Sequence, residues 1–327
     1  MRIVRSMIVI LAVAAGTAQA TPSVGAEYPE RPVTFVVPYA AGGATDLLAR
    51  TLGHMLEQRL GKPFVIENRP GASSVIAATF VAKSLPDGYT IMLATSTTMA
   101  INSAVFKNLP YAPLVDLSPV ALIATSPFVL VVNSGLPVRS VGELVQLAKR
   151  TPGELSYGSS GPGSAHHLFM QLLASMTSIK LTHVPYRGTV PAVNDVVAGH
   201  IQMMFADMST SLPLIRAGSL RALGVSTSNR LEGAPDLPSL AEAGVPGYDA
   251  SAWQMVVIPT HTPKEIVEKL YGALREIQTD PAFRATIVQR GMGPLNSPPP
   301  AELEQFVKAE IVRWAKVAQD AGVANSQ

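Results

Sequence analysis

The chain contains no cysteine. Disulfides, thiolate metal sites, cysteine nucleophiles and attachment of a lipid through a cysteine are therefore all excluded. Aromatic residues make up only 6% of it and charged residues only 15%. Neither sign of charge dominates: 25 Lys and Arg stand against 23 Asp and Glu. No basic run offers a nucleic acid or an anionic membrane the electrostatic footprint it requires. After the first 26 residues, no apolar stretch is long and charge-free enough to span a bilayer.

The first 26 residues are different. Arg2 and Arg5 precede an unbroken apolar run from Met7 to Ala15, and both Ala18-Gln19-Ala20 and Val24-Gly25-Ala26 read as small-residue cleavage sites. This is the pattern of a secretory signal peptide, with the later cut preferred because Pro22 and Gly25 read as spacer. Removal of residues 1–26 takes away two arginines and brings the formal charge from +2 to zero. About 300 residues remain, enough for two buried cores.

Beyond residue 30, short apolar runs alternate with helical patterns. Val33–Val37, Phe64–Ile66 and Tyr89–Ala94 read as strands. Leu47, Leu48, Leu52, Met55, Leu56 and Leu60 recur at helical spacing between the first two strands, and Gly61 ends that helix. A second helix is expected over Ser73–Leu85. The series restarts with strands at Phe128–Val132, Leu155–Tyr157, Leu181–Val184, Ile201–Phe205 and Leu220–Val225. Helices at Ser164–Met176 and Val190–Ala198 fall among them, and Ser140 with Glu143 forms a capping box for another. The last third is mostly helical, with Thr262, Pro263 and Glu265 opening one helix and Ala301–Ala318 forming another. The expected fold is α/β in two domains, each a mixed, mostly parallel sheet flanked by helices. Residues 27–126 and 250–327 form the first domain, residues 127–249 the second, and the ligand cleft lies between them.

Two strand-to-helix loops carry the functional signal. "VVPYAAGGATDLLAR" (36–50) has a glycine pair but lacks the lysine of a phosphate-binding P-loop, and it lacks G-x-G-x-x-G. What remains is a tight turn into a helix N-terminus, whose unpaired N–H groups suit an anion. As a plain turn, the same stretch would use Asp46 only to stabilise the helix start. "YGSSGPGSAHHL" (157–168) is a second donor-rich loop. Its Gly158-Ser159-Ser160-Gly161 order does not match the G-x-S-x-G of a hydrolase elbow. His166 and His167 are adjacent, so on a helix they point apart and do not grip one metal.

At this point the chain resembles the Bug family, the extracytoplasmic solute-binding proteins of tripartite tricarboxylate transporters. The resemblance rests on "PYAAGGATD", "ENRPGA", "PDGYT", "YGSSGPGSAHHL", "VPYRGTVPAVNDVVAGHIQMMFAD" and "LPSLAEAGVPGY", in order across nearly the whole mature chain. It implies a type II-like periplasmic binding protein that closes on a small organic anion and delivers it to membrane permease subunits. It implies ligand contacts from Tyr39, Ala40, Ala41, Gly42, Gly43, Thr45 and Asp46 in the first loop, and from Ser159, Ser160, Gly161, Gly163 and His167 in the second. Thr95, Ser96 and Asp207 complete the expected site. A monomeric periplasmic protein without catalytic residue, cofactor, metal or nucleic acid partner is expected. With no Lys or Arg in either loop, the ligand is expected to be a dicarboxylate, an aromatic acid or an amino acid. Tyr39, Tyr186, Phe205 and Trp253 are candidates to line an aromatic acid. A periplasmic sensor presenting the same ligand to a receptor is an alternative role, and an exported serine hydrolase using Ser159 or Ser160 a third.

Overall fold

The computed structural model describes residues 28–231, 234–320 and 322–327. The segment read as a signal peptide lies outside them. In chain order the strands are β1 (Val33–Val37), β2 (Phe64–Asn68), β3 (Thr90–Thr95), β4 (Leu117–Ser126), β5 (Phe128–Asn133), β6 (Ser156–Ser159), β7 (Thr182–Pro185), β8 (Met203–Asp207), β9 (Leu220–Val225), β10 (Ala252–Pro259) and β11 (Gly293–Pro294). The helices are α1 (Ala44–Leu60), α2 (Val75–Ala82), α3 (Asn102–Val105), α4 (Pro113–Asp116), α5 (Val141–Arg150), α6 (Ala165–Thr177), α7 (Thr189–Ala198), α8 (Met208–Arg216), α9 (Lys264–Thr279), α10 (Pro281–Gln289) and α11 (Pro300–Asp320).

The strands form two mixed sheets, β11-β4-β10-β3-β1-β2 and β7-β6-β8-β5-β9. Parallel pairing does not predominate. It is confined to β1 with β2 and β3, and to β6 with β7 and β8. The strands that carry the chain between sheets run antiparallel: β4 pairs β10, and β5 pairs β8 and β9. Only Pro127 separates β4 from β5, so one chain passes straight from the first sheet into the second. The return runs from β9 to β10, which lies between β3 and β4.

Local sequence explains the elements that frame the site. Leu48, Leu52 and Leu56 lie one turn apart on α1 and are fully buried. Each buried leucine stabilises the packing by roughly 1.5–3 kcal/mol. Gly61 closes α1 in the left-handed region at φ 75°, with its N–H donating to Glu57 O. The expected helix over 73–85 begins only at Val75, because Ala72, Ser73 and Ser74 all have positive φ (43°, 50° and 74°).

After β10 the chain returns to the first sheet. Arg290 Nη1 donates to Leu47 O on α1 at 3.1 Å, and α11 lies against β4. The same α11 also reaches the second half. Its Trp314 stacks on Phe169 of α6 at 5.5 Å, and its Glu310 carboxylate accepts from both Trp253 Nε1 (2.6 Å) and Trp314 Nε1 (2.9 Å). One apolar core therefore runs from Val36 and Met92 to Leu130, Phe169 and Phe205 across both sheets.

Candidate functional site

A cavity lies where the two sheets meet. From the first half, Tyr39, Gly43, Ala44, Thr45, Thr95, Ser96 and Thr97 line it. The crossing strands add Ser126, Phe128, Ala252, Trp253 and Gln254. The second half adds Ala165, His166, Thr189 and Asp207.

Four helices begin at lining residues. Gly43 is the N-cap of α1, and neither it nor Gly188, the N-cap of α7, supplies a side-chain cap. Asp207 precedes α8 and its carboxylate does not cap that helix either. Ala165 opens α6, and its N–H donates to Thr97 Oγ1 across the cleft at 3.1 Å. In α6 the Ala165 N–H is taken by Thr97 and the His167 N–H by Ser164, but aligned peptide dipoles make each helix start electropositive. No Lys or Arg is among the lining residues. Helix termini and hydroxyls thus supply the attraction for an anion that cationic side chains supply elsewhere.

The two glycines of the first loop do different work. Gly42 has φ 86°, a conformation that favours glycine, and it lies outside the cavity. Gly43 is extended, and a Cβ there would sit 3.7 Å from Ala40 O, so its backbone faces the cavity without needing to be glycine.

Asp46 does not enter the cavity. Its carboxylate accepts from Gly42 N (2.9 Å), Arg50 Nε (2.9 Å) and Asn68 Nδ2 (2.9 Å). Burial alone would raise this carboxyl, but the Arg50, Gly42 and Asn68 hydrogen bonds outweigh it and hold the group below its ordinary value. The residue braces the loop from behind. Ala40 and Ala41 are likewise outside the lining; Ala40 sits beside Gly188 at the junction of the two halves.

The second loop turns its donors inward. Ser159 Oγ bonds Gly161 O (3.0 Å) and His183 Nε2 (2.6 Å), and Gly163 N donates to His167 Nδ1 (3.0 Å). Ser159, Ser160, Gly161, Gly163 and His167 are therefore packed behind the start of α6 and do not line the cavity. The His167 ring stacks on His183 at 4.0 Å with 5° between planes. Burial pushes His167 down to about 3, helped by its neighbour His183, and pushes His183 down to about 4.

His166 and Thr189 face the cavity instead. His166 Nε2 lies 3.2 Å from Asp207 Oδ2, and Thr189 Oγ1 donates to the same oxygen at 2.8 Å. Burial would raise the Asp207 carboxyl, but the hydrogen bond and charge of the His166 ring, with the Thr189 hydroxyl, prevail and hold it low. His166 Nδ1 meets Ser160 Oγ at 2.8 Å, which assembles a Ser-His-Asp chain. Its orientation is inverted with respect to a serine hydrolase, in which Nε2 serves the serine and Nδ1 the aspartate. Here the aspartate faces the cavity and the serine is enclosed behind it.

Of the residues expected from sequence, Tyr39, Gly43, Thr45, Thr95, Ser96 and Asp207 are brought together. Trp253 also lines the cavity; Tyr186 instead bonds Asp195 at 2.6 Å, and Phe205 stacks on Tyr248 in the core. Ser126, Phe128, His166, Thr189 and Gln254 were not anticipated, and Thr97 follows directly on the expected Thr95 and Ser96. His166 and His167 point apart on a helix, so only one of them could face the site, but nothing local marked Gln254.

Comparison with known proteins places the chain. Residues 48–323 match the family model described as the tripartite tricarboxylate transporter family receptor. The protein BugT of Bordetella pertussis is 35% identical over 318 residues, covering 97% of both chains. An R. palustris protein solved with adipate is 40% identical with a TM-score of 0.88, covering 91% of this chain and 99% of that one. MatC from Rhodopseudomonas palustris, solved with bound malate, is 34% identical with a TM-score of 0.84, covering 89% and 99%. With two mixed sheets meeting at a helix-rimmed cavity and this likeness along its length, the chain belongs to the tripartite tricarboxylate transporter receptor family.

Proposed function

We propose that this protein captures a small organic anion by a carboxylate in the cavity between its halves and delivers it to the membrane subunits of a tripartite transporter. The observation that carries this reading is a buried cavity rimmed by four helix N-termini and hydroxyls, with no Lys or Arg in its lining. Adipate and malate in relatives support a carboxylate cargo. The signal-peptide pattern and the periplasmic family members support action in the periplasm. Residues 27–126 with 250–327, and 127–249, act as the two closing bodies, and Pro127 and the segment after β9 act as the hinge. Gly43, Thr45, Thr95 and Ser96 hold the carboxylate, while Asp207 and His166 shape the opposite wall. Ser160, which meets His166 and through it Asp207, is enclosed behind the cavity wall, which supports binding and release without chemistry. Ligand favours the closed state by its higher affinity for it.

Calorimetry against mono-, di- and aromatic carboxylates tests this reading. At least one carboxylate binds the wild type, and Gly43→Val abolishes that binding while the fold is retained. The Cβ has room, and Gly43 lines the cavity, so a larger side chain there is expected to obstruct the proposed carboxylate position. A folded wild type that ignores the whole panel sinks the proposal, as does unchanged affinity in Gly43→Val.

A further inference from the structure

Two residues of the cavity wall each carry a polar atom without a partner among the described residues. Ser96 Oγ and Gln254 Oε1 make no hydrogen bond, although Ser96 is fully buried and Gln254 is 2% exposed. A buried polar atom left unpaired is destabilising, and in native proteins such atoms demand an explanation. Both residues line the same cavity. They are also neighbours: Gln254 on β10 lies opposite Thr95 on β3, and Ser96 follows Thr95 directly.

The two atoms ask for different chemistry. A serine hydroxyl donates, so Ser96 suits a carboxylate oxygen. The Gln254 oxygen has only lone pairs to offer, because its amide nitrogen already donates to Ser126 Oγ at 2.7 Å. A carboxylate has only lone pairs too and does not satisfy it. The group that does must carry an O–H or N–H.

We infer that Gln254 is a specificity-determining residue that selects a carboxylate bearing a hydrogen-bond donor, a hydroxyl or an amine, on the neighbouring carbon. The inference rests on the carboxylate-capture reading. It adds the class of carboxylate and the residue that reads it. Adjacency of Ser96 and Gln254 sets the placement: a ligand whose carboxylate meets Ser96 presents its α-substituent to Gln254. Asp207, a second acceptor in the wall, reinforces the demand for a donor. The Trp253 indole N–H is already spent on Glu310, so this ring contributes an apolar face and competes for no ligand oxygen.

Matched ligand series read this directly. Titration calorimetry compares succinate with 2-hydroxysuccinate and 2-aminosuccinate, and adipate with 2-hydroxyadipate and 2-aminoadipate, on wild type and Gln254→Met. In the wild type, at least one substituted acid binds about tenfold tighter than its unsubstituted parent, the effect of one hydrogen bond gained and one buried acceptor satisfied. In Gln254→Met, which keeps the length of the side chain, that ratio falls to about one. Hydroxy against amino preference decides whether the donor is O–H or N–H. Parent diacids that bind as well as or better than their substituted forms overturn the inference while leaving carboxylate capture intact. So does a ratio that persists in Gln254→Met. The Ser126 hydroxyl can serve the amide either way round, so a preference for the parent diacid would mean that the amide presents its nitrogen. If no carboxylate binds at all, the capture reading fails and this inference falls with it. The wild-type series needs no variant, so poor folding of Gln254→Met leaves the inference decidable.

Discussion

Acidification should cost this protein more stability than its carboxylates explain, because two histidines are buried uncharged. His167 and His183 stack face to face at 4.0 Å, with Tyr157 stacked on His183 at 5.0 Å. Burial holds them at about 3 and about 4, with His183 adding to the effect on His167. In the unfolded chain both titrate near 6.5. Between about 6.5 and 4 the unfolded state therefore binds more protons than the folded state, and stability falls as pH falls. Their contribution is complete above 6.5. Each histidine then withdraws about 1.4 kcal/mol per pH unit, so the pair removes at most about 5 kcal/mol between pH 6.5 and 4.5. That is a large share of the roughly 5–15 kcal/mol typical of a domain. Asp46 and Asp207, both held below the ordinary carboxylate value, withdraw stability only from about pH 5 downward, where their unfolded counterparts begin to protonate, so the interval from pH 6.5 to 5 reads the histidines without them. Urea unfolding followed by circular dichroism at pH 7.5, 6.0, 5.0 and 4.5 gives the slope for wild type, His167→Gln and His183→Gln. Each variant should be less stable at pH 7.5, having lost a stacked ring, yet should lose only about half as much on acidification. A wild-type midpoint that stays level from pH 7 to 5, or variants with the wild-type slope, would refute the argument.

Two further outcomes follow from the loops. Asp46→Ala should lower stability by about 1–3 kcal/mol, since it strands the Gly42 N–H and Asn68 amide that the carboxylate satisfies; a change under about 0.5 kcal/mol in urea unfolding would show that the brace is idle. Ser73→Ala removes the hydroxyl that donates to Pro162 O across the cleft. It should weaken ligand binding roughly three- to tenfold while leaving the ligand-free melting temperature close to wild type, because that bond exists only when the halves meet. Equal affinity in calorimetry would remove Ser73 from closure.

Some of the site was legible because its signals are local. A glycine pair between an apolar run and a leucine-spaced helix gives a helix N-terminus wherever it folds, and Gly43 and Thr45 were found that way. The sequence could not tell which side of a loop its donors face. Ser159, Ser160 and Gly163 have the right chemistry but spend it on Gly161, His166, His167 and His183, because the loop packs against β7 and α6. Strands β4 and β10 were missed for a related reason: they pair antiparallel within the sheet, β10 is buried throughout and β4 at all but Ser118 and Thr125, so neither alternation nor turn residues mark them.

The sequence by itself determined the alternation of strands and helices, the absence of cysteine chemistry and the poverty of cationic side chains near the loops. Each depends on residue type and short spacing, and tertiary contacts do not alter it. The tertiary structure decided which residues share the cavity. Thr95 and Gln254 are 159 positions apart and become neighbours only through the pairing of β3 with β10. His166, Asp207 and Thr189 converge only because β8 and the starts of α6 and α7 meet at one end of the second sheet. Burial then did what composition cannot: it left Gln254 Oε1 and Ser96 Oγ unpaired, and it held two histidines neutral.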